Sequence, residues 1–399
     1  MSRPEQYQGG KKPLTLKLGR NVVFAGLVSL CMDISSEMVY PLIPLFLTNV
    51  LGTTKTTVGI IEGIAEATAS ILKVFSGWLS DKLGKRKLLM GVGYAISAIS
   101  RPVTAVASTW FEVLTARFID RLGKGVRTAP RDAIIADSTE NSALGAAFGF
   151  HRTMDTIGAA IGPAIAFVIL YLYKDNLRLV FHLSAIPAVI AVVIIAIFMK
   201  ETAHKRKEVE LPRLTISSFD GTFRHYMLVI AIFSLGNFAD AFMVLRAQSL
   251  GVPKGLIIII YLIYNIVYAS SAIPIGVIAD RLGIKKMVLA GFIFYSIVFG
   301  LVAMATSQVH IWLLFPLYGL YKGMSDGTQR AYLAAISPRD NKATAFGVYH
   351  TVVGAMLLPA SIIAGYLWDK SGPEATFLFG AALSLIAAAV FIGGWKKSA

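Results

Sequence analysis

Residues 77–87 read GWLSDKLGKRK, and residues 276–286 read GVIADRLGIKK, an offset of 199 positions. Gly77, Asp81, Leu83, Gly84 and Lys87 meet identical residues, and Lys82 and Arg86 meet basic ones. Further on, Lys124-Gly125 corresponds to Lys322-Gly323, and Ala147-Phe148-Gly149 with Thr153 to Ala345-Phe346-Gly347 with Thr351. Agreement at several loci under nearly one offset marks a duplicated unit. The chain is therefore read as two related halves: 1–200, a linker over 201–222, and 223–399.

Apolar runs of about 20 residues separated by short polar loops recur along the whole chain, which is the pattern of spanning helices. Charged residues make up 15% of the 399 residues and apolar ones 55%, against about 25% charged in a soluble domain. Helices are expected over 20–48, 56–79, 88–107, 110–136, 144–172, 179–200, 223–248, 254–276, 287–305, 310–336, 343–367 and 374–395. The fold class is an all-α membrane protein of twelve transmembrane helices in two pseudo-symmetric bundles of six.

Twelve crossings put both termini on one side. Connections on that side hold 24 Lys and Arg, and those on the other hold five: Lys55, Lys174, Arg178, Lys254 and Lys370. The positive-inside rule then makes the termini cytoplasmic, in a multi-pass cell-membrane protein. The same distribution accounts for the net charge of +15 without nucleic acid, because the bases are scattered over short loops rather than gathered on one face. The N-terminal twenty residues are too long and polar for a signal peptide, so the first apolar run is read as a retained helix. The single cysteine, Cys31, excludes an internal disulfide and a cysteine-based metal centre. No HExxH element and no Walker-type loop is present, so a metal, a cofactor and direct drive by ATP are not expected.

The 77–87 segment resembles the signature between helices 2 and 3 of the major facilitator superfamily. Arg121-Leu-Gly-Lys124-Gly125 is similar to that superfamily's helix-4 motif, with Arg127 where a small residue is usual. Gly158-Ala-Ala-Ile-Gly162-Pro163 resembles the helix-5 element typical of its antiporters. The resemblance covers essentially the whole chain. It implies alternating access by two rocking bundles around a site lined by helices 1, 4, 7 and 10, and a gating role for Gly77, Asp81, Gly84, Arg86, Asp280 and Gly283. A plain positive-inside turn is the alternative for that segment. For the helix-5 glycines, close packing is the first reading.

Charges inside the membrane point to the site, since each costs roughly 2.5–3.5 kcal/mol at the bilayer centre unless it faces a partner or water. Helix 4 carries Arg117, Asp120, Arg121, Lys124, Arg127 and Arg131 along one face; Asp33 with Glu37 and Glu62 with Glu66 are i, i+4 pairs; helix 5 adds His151, Arg152 and Asp155. Structural pairing competes with a functional role throughout, most strongly for Arg127, Arg131, Glu62 and Lys73. The residues assigned to a substrate cavity are Asp33, Glu37, Arg117, Arg121, Lys124, Arg152, Asn237, Asp240, Tyr264, Asn265, Lys322, Asp326 and His350. Asp240 is expected either in the cavity or paired with Lys322 or Arg330. Tyr261, Tyr264 and Tyr268 read as a packing stripe that could also line the cavity.

Asp33, Glu37, Arg121 and Asp155 are assigned to proton coupling, the acids competing with Arg121 or a substrate. The expected function is secondary transport of a small solute with protons as coupling ion, in the direction of export, by a monomer in the lipid bilayer. Uptake by symport of an organic ion uses the same parts. A receptor or scaffold that binds without transporting is the alternative from another class. No constellation for catalysis is present.

Overall fold

A computed structural model describes residues 19–140, 143–202, 219–337 and 342–395, with the side chains of Val74, Gly77, Asp81, Lys342, Ala343 and Trp395 outside the described set. The expected linker at 201–222 falls largely outside the described residues. Twelve long helical segments follow one another: α1 (Arg20–Asn49), α2 (Lys55–Leu83), α3 (Arg86–Val106), α4 (Trp110–Asp137), α5 (Leu144–Leu172), α6 (Leu177–Phe198), α7 (Gly221–Ser249), α8 (Lys254–Leu282), α9 (Ile284–Met304), α10 (Gln308–Ile336), α11 (Lys342–Ser371) and α12 (Pro373–Trp395). Nine of them are long and apolar enough to cross a membrane. The other three, α2, α4 and α10, are of similar length, 28 or 29 residues, or about 42 Å at 1.5 Å per residue. Their polar residues, not their length, set them apart. Large apolar side chains cover the outer surface, such as Ile273 at 79% and Met304 at 75% exposure, as a lipid-facing wall requires.

Packing follows the duplication. In the N-terminal half α1 lies against α5 and α6, and α4 against α2 and α3; in the C-terminal half α8 lies against α10, and α12 against α7 and α9. Between the halves α2 packs on α11 and α5 on α8. Under the 199-residue offset α2 corresponds to α8 and α5 to α11, so these two interfaces are the same contact made twice about a pseudo-twofold axis.

The helices end where the sequence supplies a stop, but later than expected. α2 continues to Leu83 and α8 to Leu282, so residues 77–83 and 276–282 form the last helical turns, and the ends of the two segments already begin α3 and α9. Each copy closes on a glycine with positive φ: Gly84 at 64° and Gly283 at 97°, the conformation that favours glycine. The Gly84 amide donates to the Ser80 carbonyl at 3.0 Å and the Gly283 amide to that of Ala279 at 2.9 Å.

α1 and α7 are both interrupted. In α1, Pro41 and Pro44 withhold amide hydrogens, and residues Tyr40–Leu42 tighten into a 3₁₀ turn. In α7 the helix stops at Gly236 and resumes at Ala241. Freed backbone groups at membrane depth need partners: the Tyr295 hydroxyl donates to the Gly236 carbonyl at 2.8 Å, and the Ala239 amide donates to Ser361 Oγ at 3.2 Å. The two breaks fall at matching places in the two halves.

Beyond the breaks, on the side away from the termini, the halves are clasped. Ile43–Asn49 of α1 packs against Ala241–Ser249 of α7, and Gln248 Nε2 donates to Asn49 Oδ1. Asp369 of α11 accepts from the Lys55 amide at 3.1 Å, the Thr56 amide at 2.8 Å and the Thr56 hydroxyl at 2.6 Å. These are the exposed donors of the first turn of α2, so a carboxylate from one half caps a helix of the other. Toward the terminal side, a Cβ built at Gly145, Gly149, Gly276 or Gly327 meets nothing within 4 Å.

The clasp has a measurable strength. Replacing Asp369 by alanine removes about 1–2 kcal/mol of cap energy, enough to move the ratio of closed to open far-side ends by a factor of roughly 5–30. In a Cys31→Ser background, paired spin labels on the far-side loops of the two halves should show a grown long-distance population in Asp369→Ala. An unchanged distance distribution would show that the clasp contributes nothing.

Candidate functional site

Between the halves lies a polar cavity with two connected lobes. One, of about 220 Å³, is lined by α1, α2, α3, α4, α7 and α8; the other, of about 240 Å³, by α1, α4, α5 and α8. Asp33, Glu37, Lys124, Asn265 and Tyr268 line both. At ~30 Å³ per water, each lobe has room for about seven. A larger space of about 370 Å³ at the terminal ends of α7, α9, α10 and α12 lies within the C-terminal half and off this path.

The glycines of α5 set the position of the acids of α1. A Cβ on Gly158 would stand 2.7 Å from the Leu30 carbonyl oxygen and 2.9 Å from Asp33 Cβ; one on Gly162 would stand 2.7 Å from that of Ile34 and 2.9 Å from Glu37 Cβ. Each glycine of the G-x-x-x-G face therefore sits against one acid, in register. The packing function expected of those glycines has a consequence at the site: it fixes where the two carboxylates leave the α1 backbone.

Six other charges of the N-terminal half neutralise one another. Arg117 pairs with Glu62 at 2.5 Å, both almost wholly buried, and lies 3.8 Å from Asp120. Arg121 pairs with Glu66 at 2.8 Å and Asp120 at 3.4 Å. Arg101 of α3 pairs with Asp120 at 3.0 Å and donates to Ser35 Oγ and Ser36 Oγ of α1 at 3.0 and 3.1 Å. Three guanidiniums and three carboxylates thus form one buried network, roofed by Tyr40, whose ring centroid lies 5.3 Å from Arg117 and 5.7 Å from Arg121. Arg127 stacks over Tyr94 at 4.4 Å and donates to Ser97 Oγ at 2.6 Å; Arg131 pairs with its neighbour Asp132 at 2.9 Å.

Asp33 and Glu37 stand apart from that network: neither has a cationic side chain within 4 Å among the described residues. Glu37 accepts from Asn265 Nδ2 of the opposite half at 3.5 Å, and Tyr261 lines the cavity beside it. Lys124 is exposed to the cavity with no carboxylate within 4 Å among the described residues. Arg152 donates to the Tyr268 hydroxyl at 3.2 Å, and that hydroxyl donates to Asp326 at 2.8 Å. Asp155 lies 3.6 Å from His151 Nδ1, and His151 Nε2 shares a hydrogen bond with Ser29 at 2.7 Å.

Several expected residues are placed differently. Arg121, set by the sequence reading against the acids of α1 and Asp155, is held instead by Glu66 and Asp120, because α2 brings its own acids to α4. Asp240 lines the cavity but is saturated there by Lys322 at 3.0 Å, Tyr318 at 2.6 Å and Tyr264 at 3.3 Å. Asn237, Lys322, Asp326 and His350 line neither lobe. Asn237 lies in the α7 break, and His350 packs against the Tyr349 ring. Tyr261, Tyr264 and Tyr268, read mainly as packing, form a cavity wall.

The segment expected to gate acts within the described residues as a brace of one half. Arg86 pairs with Asp137 and donates to the Ala133 carbonyl at 3.3 Å, tying the start of α3 to the last turn of α4. Asp280 is exposed; the side chains of Gly77 and Asp81 lie outside the described residues. Arg101, Tyr40 and Ser36 were not singled out by sequence reasoning. For Arg101 the signal was present, an arginine at membrane depth in an otherwise apolar helix.

The family model for the Major Facilitator Superfamily matches residues 25–245 and 226–397. This chain belongs to the Major Facilitator Superfamily. It is similar to the uncharacterized MFS-type transporter MJ1317 of Methanocaldococcus jannaschii, 36% identical with 93% of this chain and 94% of the relative covered. It is also similar to the multi-drug resistance efflux pump PmrA of Streptococcus pneumoniae, 24% identical over 83% of this chain and 86% of that protein. Among solved structures, the nucleoside transporter NupG superposes with a TM-score of 0.75 at 16% identity, covering 94% of this chain and 99% of that one; at that identity the likeness is one of fold. The chain is a membrane transporter of this superfamily, with the twelve-helix fold in two halves.

The buried network makes its own prediction. Glu62→Ala leaves the buried Arg117 with only the longer contact to Asp120 and should lower the unfolding free energy by up to about 3 kcal/mol, seen as a drop in the thermal midpoint of purified protein in detergent. Joint replacement, Glu62→Gln with Arg117→Met, should recover most of the loss. Equal midpoints for the single and double variants would show that the pair is not the stabilising unit.

Proposed function

We propose that this protein is a secondary active transporter that exports a small solute in exchange for protons, by alternating access. The reading rests on one observation: Asp33 and Glu37 face the cavity between the halves without an ion-pair partner among the described residues, while the acids around them are neutralised. A carboxylate in that position exchanges a proton readily, because no fixed cation holds it ionised. Asp155, lining the second lobe beside them with Oδ1 buried and unbonded among the described residues, is the third member. Arg121 acts through Glu66 and Asp120 rather than on the proton itself.

The clasp closes the halves on the side away from the termini, and we assign the open end of the cavity to the terminal side. With 24 basic residues on the terminal side against five opposite, that side is assigned to the cytoplasm of a cell-membrane protein, and the conformation is then inward-facing. Rocking of the halves 1–200 and 223–399 about α2–α11 and α5–α8 would release the Asp369 clasp and expose the cavity outside. The helix-5 glycine element and the similarity to an efflux pump support export. The site is complete within one chain, which supports action as a monomer.

Proton coupling is tested in proteoliposomes enclosing a pH-sensitive dye, with amino acids, organic anions, organic cations and antibiotics added in turn. The wild-type chain should move protons in response to its substrate. Asp33→Asn, Glu37→Gln and Asp155→Asn each mimic the protonated acid, so they should fold and leave solute exchange that no longer responds to pH. Proton movement unchanged in all three variants removes the coupling proposal.

A further inference from the structure

The cavity charges that remain after ion pairing have a definite pattern. On the acidic side are Asp33 and Glu37, one turn apart on α1, with Asp155 of α5 beside them in the second lobe. On the basic side are Lys124 of α4 and Arg152 of α5, both exposed; Lys124 lines both lobes and Arg152 the second. Of the other cavity charges, Glu66, Asp120, Arg101, Arg117 and Arg121 are ion-paired with one another and with Glu62, and Asp240 with Lys322. Arg127 and Arg152 each bond a hydroxyl and lie over a tyrosine ring, Arg127 at Ser97 and Tyr94 and Arg152 at Tyr268. Arg127 is buried, however, whereas Arg152 is open to the second lobe. Opposite charges that share one wet space, each more than 4 Å from the other among the described residues, are not quenched by contact. They are spaced for something between them.

We infer that the substrate is zwitterionic: a small molecule carrying a cationic group and an anionic group at once. Its cation lies at Asp33 and Glu37, beside the tyrosine wall of Tyr40, Tyr261 and Tyr264, whose ring faces attract an ammonium. Its anion lies at Lys124, with Arg152 behind it in the second lobe. The inference rests on the proposed transport role and deepens it. Two acids against one ammonium leave one carboxylate free to carry the proton while the other holds the substrate. A purely cationic solute would leave Lys124 opposed to nothing, and a purely anionic one would face two carboxylates on α1, so the arrangement selects against both. Lobes of about 220 and 240 Å³ suit a molecule of amino-acid to dipeptide size.

The experiment measures binding, so that it stands apart from proton flux. Purified full-length protein is screened by thermal shift against three matched probe sets: α-amino acids and dipeptides, the corresponding amines lacking the carboxylate, and the corresponding acids lacking the amine. At least one zwitterionic probe should raise the midpoint while both of its single-charge counterparts do not. For that probe, Lys124→Gln and Glu37→Gln should each weaken binding roughly tenfold or more, the loss of one charge-assisted contact. The unliganded midpoints of the two variants show whether they fold. The inference is overturned if amines or acids alone do as well as their zwitterions, if no set shifts the midpoint, or if both folded variants bind the zwitterion as the wild type does. An amine that binds and still moves protons overturns the substrate class and leaves proton-coupled export standing; a zwitterion that binds without proton movement does the reverse.

Discussion

An ionised side chain in the middle of a bilayer needs a partner or water to offset a cost of a few kcal/mol, and the N-terminal half meets that requirement in two ways side by side. Glu62, Glu66 and Asp120 are matched to Arg117, Arg121 and Arg101 in a largely buried network at the edge of the cavity. Asp33 and Glu37, on the next helix, are left to the cavity. The difference is made by backbone geometry. Gly158 and Gly162 bring α5 so close to α1 that the two acids have no room to turn away, and α2 supplies the carboxylates that occupy the arginines of α4. In the network each carboxylate has a guanidinium within 4 Å; the α1 pair has no such partner among the described residues.

The architecture was largely legible in the sequence, for a physical reason. Hydropathy and loop charge report how each segment meets lipid and water, which is a one-dimensional property, so the number and order of the helices follow from it, and the duplication follows from residues matched under one offset. Which charge meets which is a three-dimensional property, and there the reading diverged. Arg121 was matched to acids on α1 and α5 because they seemed the deepest, whereas helix rotation presents it to Glu66. Arg101 was passed over as one base in an apolar helix, although it bridges α4 to the Ser35-Ser36 step of α1. The tyrosines of α8 carry the same i, i+3, i+7 spacing whether they face a core or a cavity, and only the neighbouring half decides between them. The breaks in α1 and α7 had unequal signals: Pro41 and Pro44 announce the first, while the second is stabilised by Tyr295 and Ser361, far away in sequence.

The clasp and the cavity are built from different kinds of contact, and this separation matters for how a transport cycle can run. Far-side closure rests on a carboxylate capping a helix of the other half, on an Asn49–Gln248 bond and on apolar packing of two short helix ends. None of these groups lies in the cavity. A change of charge at Asp33 or Glu37 therefore cannot open the clasp by direct contact; it must act through α1 itself. The route is short. Glu37 lies three residues before the 3₁₀ turn at Tyr40, and the segment that seals the far side begins at Ile43. Glu37 also reaches Asn265 across the interface, so its charge state bears on both halves at once. A helix broken at that point can tilt its outer segment without moving the packed inner one. In the proposed cycle the break and the unpaired acids belong to a single device, in which occupancy of the cavity is converted into the angle of the outer segment of α1.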